Sequence, residues 1–192
     1  MVSLMGIDLA GSERRPTGWA ILSNKRFEFG VAHKDEELLA LAKKHKVKKV
    51  IIDAPLTLPK GRKSIEERSE HHFRECDLSL RKEGIRFFPI TLGPMRMLTK
   101  RGIALKKKLR KSGIEVFEGF PGASYDRLGV PRKDKRAICR LLKKFGFPSP
   151  PGATQDELDA LILLLTLFLK TKKLNCDFVG KDGRIVAPAP AI

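Results

Sequence analysis

The segment TQDELDALILLLTLFL, residues 154–169, limits what this chain can fold into more than any other. From Leu158 to Leu169 it is apolar almost all round a helical wheel, so a helix here has no solvent face and must be covered by protein. The apolar run from Leu161 to Leu169 is too short to cross a bilayer and is preceded by acids, which argues against a membrane span. Thr154 followed by Glu157 forms a capping box, which starts the helix beside Thr154 and carries it to about Thr171. Two aspartates ride on it. Asp156 falls in the first turn, where the helix macrodipole favours a negative charge. Asp159 shares a face with Ile162, Leu163 and Thr166, so its carboxylate faces protein.

The rest of the chain alternates strands and helices. An apolar run from Val2 to Leu9 reads as a first strand, the polar turn SERRPTG follows, and GWAILS resumes as its hairpin partner. RFEFGVAH, residues 26–33, reads as a third strand, and a helix runs from about Asp35 to His45 with Leu38, Leu39, Leu41 and Ala42 on one stripe. KKVIIDAP, residues 48–55, is a buried strand stopped by Pro55 and parallel to the first; GIEVFEGFP, residues 113–121, is another. A helix from about Arg132 to Phe145, the turn-rich GFPSPPGA, the long apolar helix and a weak hairpin CDFVGKDGRIV turning at Asp182 and Gly183 complete the pattern, with PAPAI as a loose tail. This order specifies one α/β domain over residues 1–192: a mixed sheet of about five core strands flanked by helices. The stretch from about 56 to 111 breaks the rhythm. It is basic, contains the loop signals LPKGRKS and PITLGP, and reads as a helical insertion over one end of the sheet.

Three strands finish in or near an acid: Asp8, Asp53 and Glu118. Burying an unpaired carboxylate costs several kcal/mol or forces it to neutralise, roughly 2–7 kcal/mol even for an uncharged polar group. In open α/β sheets, sites form outside the carboxyl ends of strands, and neighbouring strands lie about 4.8 Å apart, so Asp8 and Asp53 can share one cation. The competing explanation for each is a strand-end acid that caps a turn or the next loop.

Thirty-nine Lys and Arg against 22 Asp and Glu give a net charge of +17, which suits an anionic partner such as nucleic acid or a lysine-rich, heat-adapted surface. Cys76, Cys139 and Cys176 are odd in number and form no CxxC pair, so they read as reduced thiols in a soluble cytoplasmic protein. In the insertion, Lys60, Arg62, Lys63, Arg86, Arg96, Lys100, Arg101 and the run Lys106 to Lys111 are candidate phosphate contacts, and Phe87 and Phe88 candidate stacking residues. Ser12, Arg14 and Arg15 can approach the acids from the first turn. EHHFRECD, residues 70–77, offers His72 and Cys76 at helical spacing, which reads as helix surface before it reads as a metal site.

GIDLAGSERRPTGWAIL resembles the first hairpin of the ribonuclease H-like superfamily, above all RuvC-type junction resolvases, through Gly6-Ile7-Asp8, Gly11 and Thr17-Gly18. The order GIDLAGS, IIDAPL, RxCDxxLRxxGI at Arg74 to Ile85, FEGFP and QDELDALI is similar to the family called domain of unknown function 429, described as predicted nucleases of that fold. The resemblance implies catalytic acids at Asp8, Asp53, Asp156 and Asp159; Glu118, at the end of a third strand, is a further candidate, with Asp156 or Glu118 as an outer ligand. It implies Mg²⁺ or Mn²⁺ held by Asp8, Asp53 and Asp159, and Arg74, Asp77 and Arg81 either fixing the insertion or touching substrate. The expected activity is two-metal hydrolysis of phosphodiester bonds in DNA or RNA. A non-catalytic nucleic-acid-binding protein and an actin-like nucleotide-dependent phosphotransferase remain open, since fold alone does not choose among them.

Overall fold

The computed structural model describes residues 2–148 and 151–190. Alternation with period two runs through each central strand. In β1 (Leu4–Asp8), Met5 and Ile7 face one side of the sheet and Leu4 the other; in β4 (Lys49–Asp53), Val50 and Ile52 face the first side and Ile51 the second. Both faces are therefore covered.

The antiparallel meander β1, β2 (Thr17–Ser23), β3 (Arg26–Ala32) continues into parallel β4 and β5 (Glu115–Gly119). The weak C-terminal hairpin, β6 (Phe178–Gly180) and β7 (Gly183–Val186), adds two more strands because β7 pairs parallel with β5. The sheet order is β3-β2-β1-β4-β5-β7-β6. The hairpin turns one residue earlier than the sequence suggests, at Lys181 and Asp182, since Gly180 pairs with Gly183. The tail is not loose through Ala189: Pro188 bridges Asn175, and the Ala189 amide donates to the Leu174 carbonyl. Its last two residues, like Ser149 and Pro150 of the GFPSPPGA turn, lie outside the described residues.

On one face, α1 (Asp35–Lys44) and α3 (Gly93–Lys111) cover Met5, Ile7, Val50 and Ile52, with Leu38, Leu105 and Leu109 fully buried. This corrects the expected insertion. The second half of α3 is the crossover helix between parallel β4 and β5, so the irregular excursion is confined to residues 56–92. Within it, α2 (Glu75–Lys82) packs on the terminal hairpin through Cys76, Leu80, Phe178 and Ile185. EHHFRECD is helical only from Glu75; His71 and His72 precede the helix, and His72 Nδ1 lies 2.8 Å from the Thr91 hydroxyl.

On the other face lie α4 (Pro121–Arg127), α5 (Lys135–Lys144) and α6 (Gln155–Thr171). The Thr154–Glu157 capping box is formed, and α6 buries Leu158 and every residue from Ala160 to Leu167. Its contact with the sheet is unusually close. A Cβ on Gly6 would stand 2.4 Å from the Ala160 carbonyl oxygen, and one on Gly18 would stand 2.0 Å from that of Asp156. Glycine at both positions lets the first turns of α6 rest directly on the β1–β2 backbone.

Candidate active site

Asp8 and Asp53 end adjacent parallel strands at the same level, one residue beyond the Ile7–Ile52 pair. Their carboxyl groups are close enough for each to influence the other's protonation. Burial pushes Asp8 well above the usual carboxylate range, and the charges of Asp53, then Asp159 and Asp156, push the same way. Asp53 is raised by burial and by the charges of Asp159 and Glu118, against the hydrogen bond from Asp8. Burial and the proximity of like charges both favour the protonated form at these two positions.

The close seating of α6 brings Asp156 and Asp159 to this edge. Burial also raises Asp159, opposed by two donors on one oxygen: the Tyr125 hydroxyl at 2.5 Å and Gln155 Nε2 at 2.9 Å from Oδ1. Tyr125 comes from α4, a short helix the sequence pattern does not announce. Burial holds its phenol protonated, so it stays a donor. No Lys, Arg or His among the described residues forms an ion pair with Asp8, Asp53, Asp156 or Asp159.

The donor set fits a hard divalent ion, since it consists of carboxylate oxygens without thiolate or imidazole. It is not a finished cage. Among the described residues no three Asp, Glu, His or Cys side chains converge as metal ligands, and Tyr125 and Gln155 both donate to one oxygen of Asp159. Mg²⁺ characteristically takes one or two carboxylates and completes its shell with water and substrate phosphate, which this arrangement permits.

Glu118 has a different partner. Arg74 Nη2 donates to its Oε1 at 2.6 Å, Arg74 Nη1 to its Oε2 at 2.7 Å, and the Leu56 amide to Oε2 at 2.8 Å. Arg74 also donates to both oxygens of Asp77, from Nη2 at 2.7 Å and from Nε at 3.1 Å. With Arg74 only 1% and Asp77 only 3% exposed, this triad ties the excursion to the end of β5. Of the two roles open to them, fixing the insertion is the one the contacts describe.

Other expected substrate contacts divide in the same way. The Arg62 guanidinium, 8% exposed, donates to the carbonyls of Ser64, Ile65, Glu67 and His71 and clasps its own loop. Arg96 and Lys100 both pair with Glu66. Arg81 lies 4.3 Å over the Phe73 ring. Arg101, nearly buried, braces the loop after Asp8: it donates to Asp35 at 2.9 Å, to the Ala10 carbonyl at 2.8 Å and to that of His33 at 2.9 Å. Arg14 is exposed, and Ser12 lines a cavity of about 280 Å³ with Asp8, Arg15 and Asp156. Burial pushes the Cys76 thiol up to about 12, so it stays a protonated thiol.

Lys133, Arg136, Arg140, Lys143 and Lys144, on and just before α5, are exposed and form no ion pair among the described residues. Sequence reading passed over them in favour of the insertion. The run KDKRAICRLLKK carries them with a single acid, Asp134, which caps the helix through the Ala137 amide. That imbalance was the available signal. The start of α5 is joined to the acids by Gln155, whose Nε2 lies 3.4 Å from the Arg132 carbonyl and 2.9 Å from Asp159.

Comparison with curated proteins gives no match. Among solved structures the chain is similar to T. thermophilus RuvC in complex with Holliday junction substrate, with a TM-score of 0.56 and 11% identity over 95% of this chain and 99% of that one. It is also similar to a second Thermus thermophilus RuvC structure, with a TM-score of 0.52 and 12% identity over 90% and 97% of the two chains. At such identity the likeness establishes a ribonuclease H-like fold, with its mixed sheet between helical layers. Residues 6–166, from β1 to Thr166 of α6, match the family described as Protein of unknown function (DUF429), and the chain belongs to that family.

Proposed function

We propose that the protein is a metal-dependent nuclease that hydrolyses phosphodiester bonds at the Asp8–Asp53 pair. The observation that carries this reading is two buried, mutually interacting carboxyls at the ends of adjacent parallel strands, with two more acids beside them and, among the described residues, no ion pair to any of the four. Asp8, Asp53 and Asp159 would hold the metal, with Asp156 as an outer ligand. Mg²⁺ or Mn²⁺ held there would activate a water and offset charge on the leaving oxygen. Tyr125 and Gln155 fix the carboxylate plane of Asp159, and Arg101 fixes the backbone after Asp8. The cations of α5 hold the phosphate backbone, sequence-independently and with strong salt dependence. A nucleic-acid substrate is consistent with the junction-bound relative of the same fold.

The test is a calorimetric titration of Mn²⁺ and Mg²⁺ into the protein and its Asp8→Asn variant, followed by cleavage assays on branched, single-stranded and duplex DNA and RNA. We expect the variant to lose metal binding and cleavage while keeping its fold. Equal metal binding and cleavage by both proteins would remove the acids from the reaction. A second reading, nucleic-acid binding without cleavage, draws on the absence of three converging ligands. It predicts affinity indifferent to Mg²⁺ and to Asp8→Asn.

A further inference from the structure

Asp53 also forms part of the wall of a second cavity, of about 470 Å³, that opens between the sheet edge and the irregular excursion. Single small-ligand sites span roughly 300–1,000 Å³, so this space admits one flat ring system with part of its sugar and excludes a duplex. Phe87, Phe88, Phe120, Ile90 and Met95 make its walls largely apolar. Its polar floor is the Arg74–Asp77–Glu118 triad, whose members already satisfy one another.

Phe87 and Phe120 also pack on a hydrophobic cluster, but core packing does not account for Phe88, which is 67% exposed, more than any other large apolar side chain described. Phe87, in contrast, is held edge-on against Phe73 with ring centroids 5.9 Å apart. The mouth is cationic. Arg86 is exposed and has no ion pair among the described residues, and Arg132 Nη1 donates to the Arg86 carbonyl at 3.1 Å while its guanidinium pairs with Asp126. An occupant with a flat apolar body and an attached anion satisfies both features at once.

We propose that this cavity receives one unstacked nucleobase of the substrate, with Phe88 as its stacking face and the attached phosphate directed to the Asp8–Asp53 pair. The position of the phosphate rests on the nuclease reading; the capture of the base rests on the cavity alone. Unstacking is cheapest for single-stranded, mismatched or damaged positions, so substrates with an unpaired nucleotide at the reacting phosphate are preferred over continuous duplex.

The experiment uses the full chain in chelator, where no metal-dependent cleavage occurs, and a single-stranded oligonucleotide carrying one 2-aminopurine, with its fully paired duplex as comparison. The single strand should bind with a change in 2-aminopurine fluorescence, and the duplex should show little. Phe88→Ala, at an exposed position that the fold does not need, should weaken single-strand binding roughly 10- to 100-fold and abolish the signal; Phe88→Tyr should restore both. An unchanged affinity and signal in Phe88→Ala overturns the proposal, as does equal binding of duplex, or failure of the wild type to bind the oligonucleotide at low salt. Metal-dependent cleavage indifferent to Phe88 would sink the base pocket and leave the nuclease reading standing. A Phe88-dependent signal with no cleavage under any metal would do the reverse.

Discussion

Glu118 and Asp53 end neighbouring strands of one sheet, one register step apart, since Ile52 pairs with Glu118 and Asp53 with Gly119. Glu118 receives two guanidinium bonds and an amide. Asp53 receives another acid. A buried carboxylate whose oxygens are all met by donors is explained by the fold that surrounds it. One that faces a second carboxylate is a cost the fold carries with no structural return, and such costs concentrate where a ligand later offsets them. The difference separates the acids at this edge into a clamp, centred on Arg74, and a site, centred on Asp8.

Removing the cation of the clamp tests the first half most severely. Arg74→Met leaves Asp77 and Glu118 buried without a partner, and breaking a buried pair this way costs about 3–5 kcal/mol. At roughly 2–4 °C per kcal/mol for a chain of this size, thermal unfolding should show a fall of about 10 °C. An unchanged melting temperature would mean that the triad does not hold the excursion to β5.

At the site the expected sign is opposite. The raised values of Asp8, Asp53 and Asp159 mean that the folded protein keeps protons which the unfolded chain releases in the ordinary carboxylate range. Metal-free stability is therefore highest at low pH within that window and falls as pH rises, by up to about 1.4 kcal/mol per pH unit for each proton retained. Asp8→Asn should flatten the slope and make the chelated protein more stable than wild type at pH 8, measured by urea unfolding at pH 5 and pH 8. Added Mg²⁺ should stabilise wild type and not the variant. A variant less stable than wild type at pH 8 would place Asp8 with Glu118, as a structural acid.

The same contrast applies to cations. Arg96 and Lys100 are offset by Glu66, whereas Arg136 and Arg140 on α5 form no ion pair among the described residues. Replacing Arg136 and Arg140 together by Gln should reduce the slope of log affinity against log salt by about 2, from the contribution of about 0.9 per phosphate contact. Replacing Arg96 and Lys100 should change it less. A smaller effect is expected from Tyr125→Phe, which removes one of two donors on Asp159 and should cost about 0.5–1.5 kcal/mol of stability without abolishing Mn²⁺ binding.

What the sequence disclosed follows the range of the interactions involved. The start of α6 was legible because a capping box is made by residues three apart, and the acids of β1 and β4 stood out because each interrupts an apolar run. The parallel pairing of β1 with β4 followed from the intervening helix. Glu118 looked like its neighbours, because its pairing with Arg74 joins residues 44 apart and no local pattern encodes it. Tyr125 was hidden in PGASYDR, too short a helix to show a period. The insertion was drawn too long because charge on α3 masked the stripe of Gly102, Leu105 and Leu109 that faces the sheet. Counting cations without the acids and carbonyls that meet them also led to Arg62, Arg96 and Lys100 ahead of α5.

The missing side chains at Gly6 and Gly18 divide the labour within the molecule. Because α6 lies directly on the strand backbones, the spacing between Asp8 and Asp159 belongs to the rigid centre and owes nothing to residues 56–92. The excursion can then be exchanged, lengthened or reshaped to meet a new substrate without disturbing the acids. A single methyl group at Gly18 would do the opposite: every loop would stay in place while the helix was forced away from the strands that carry its partners.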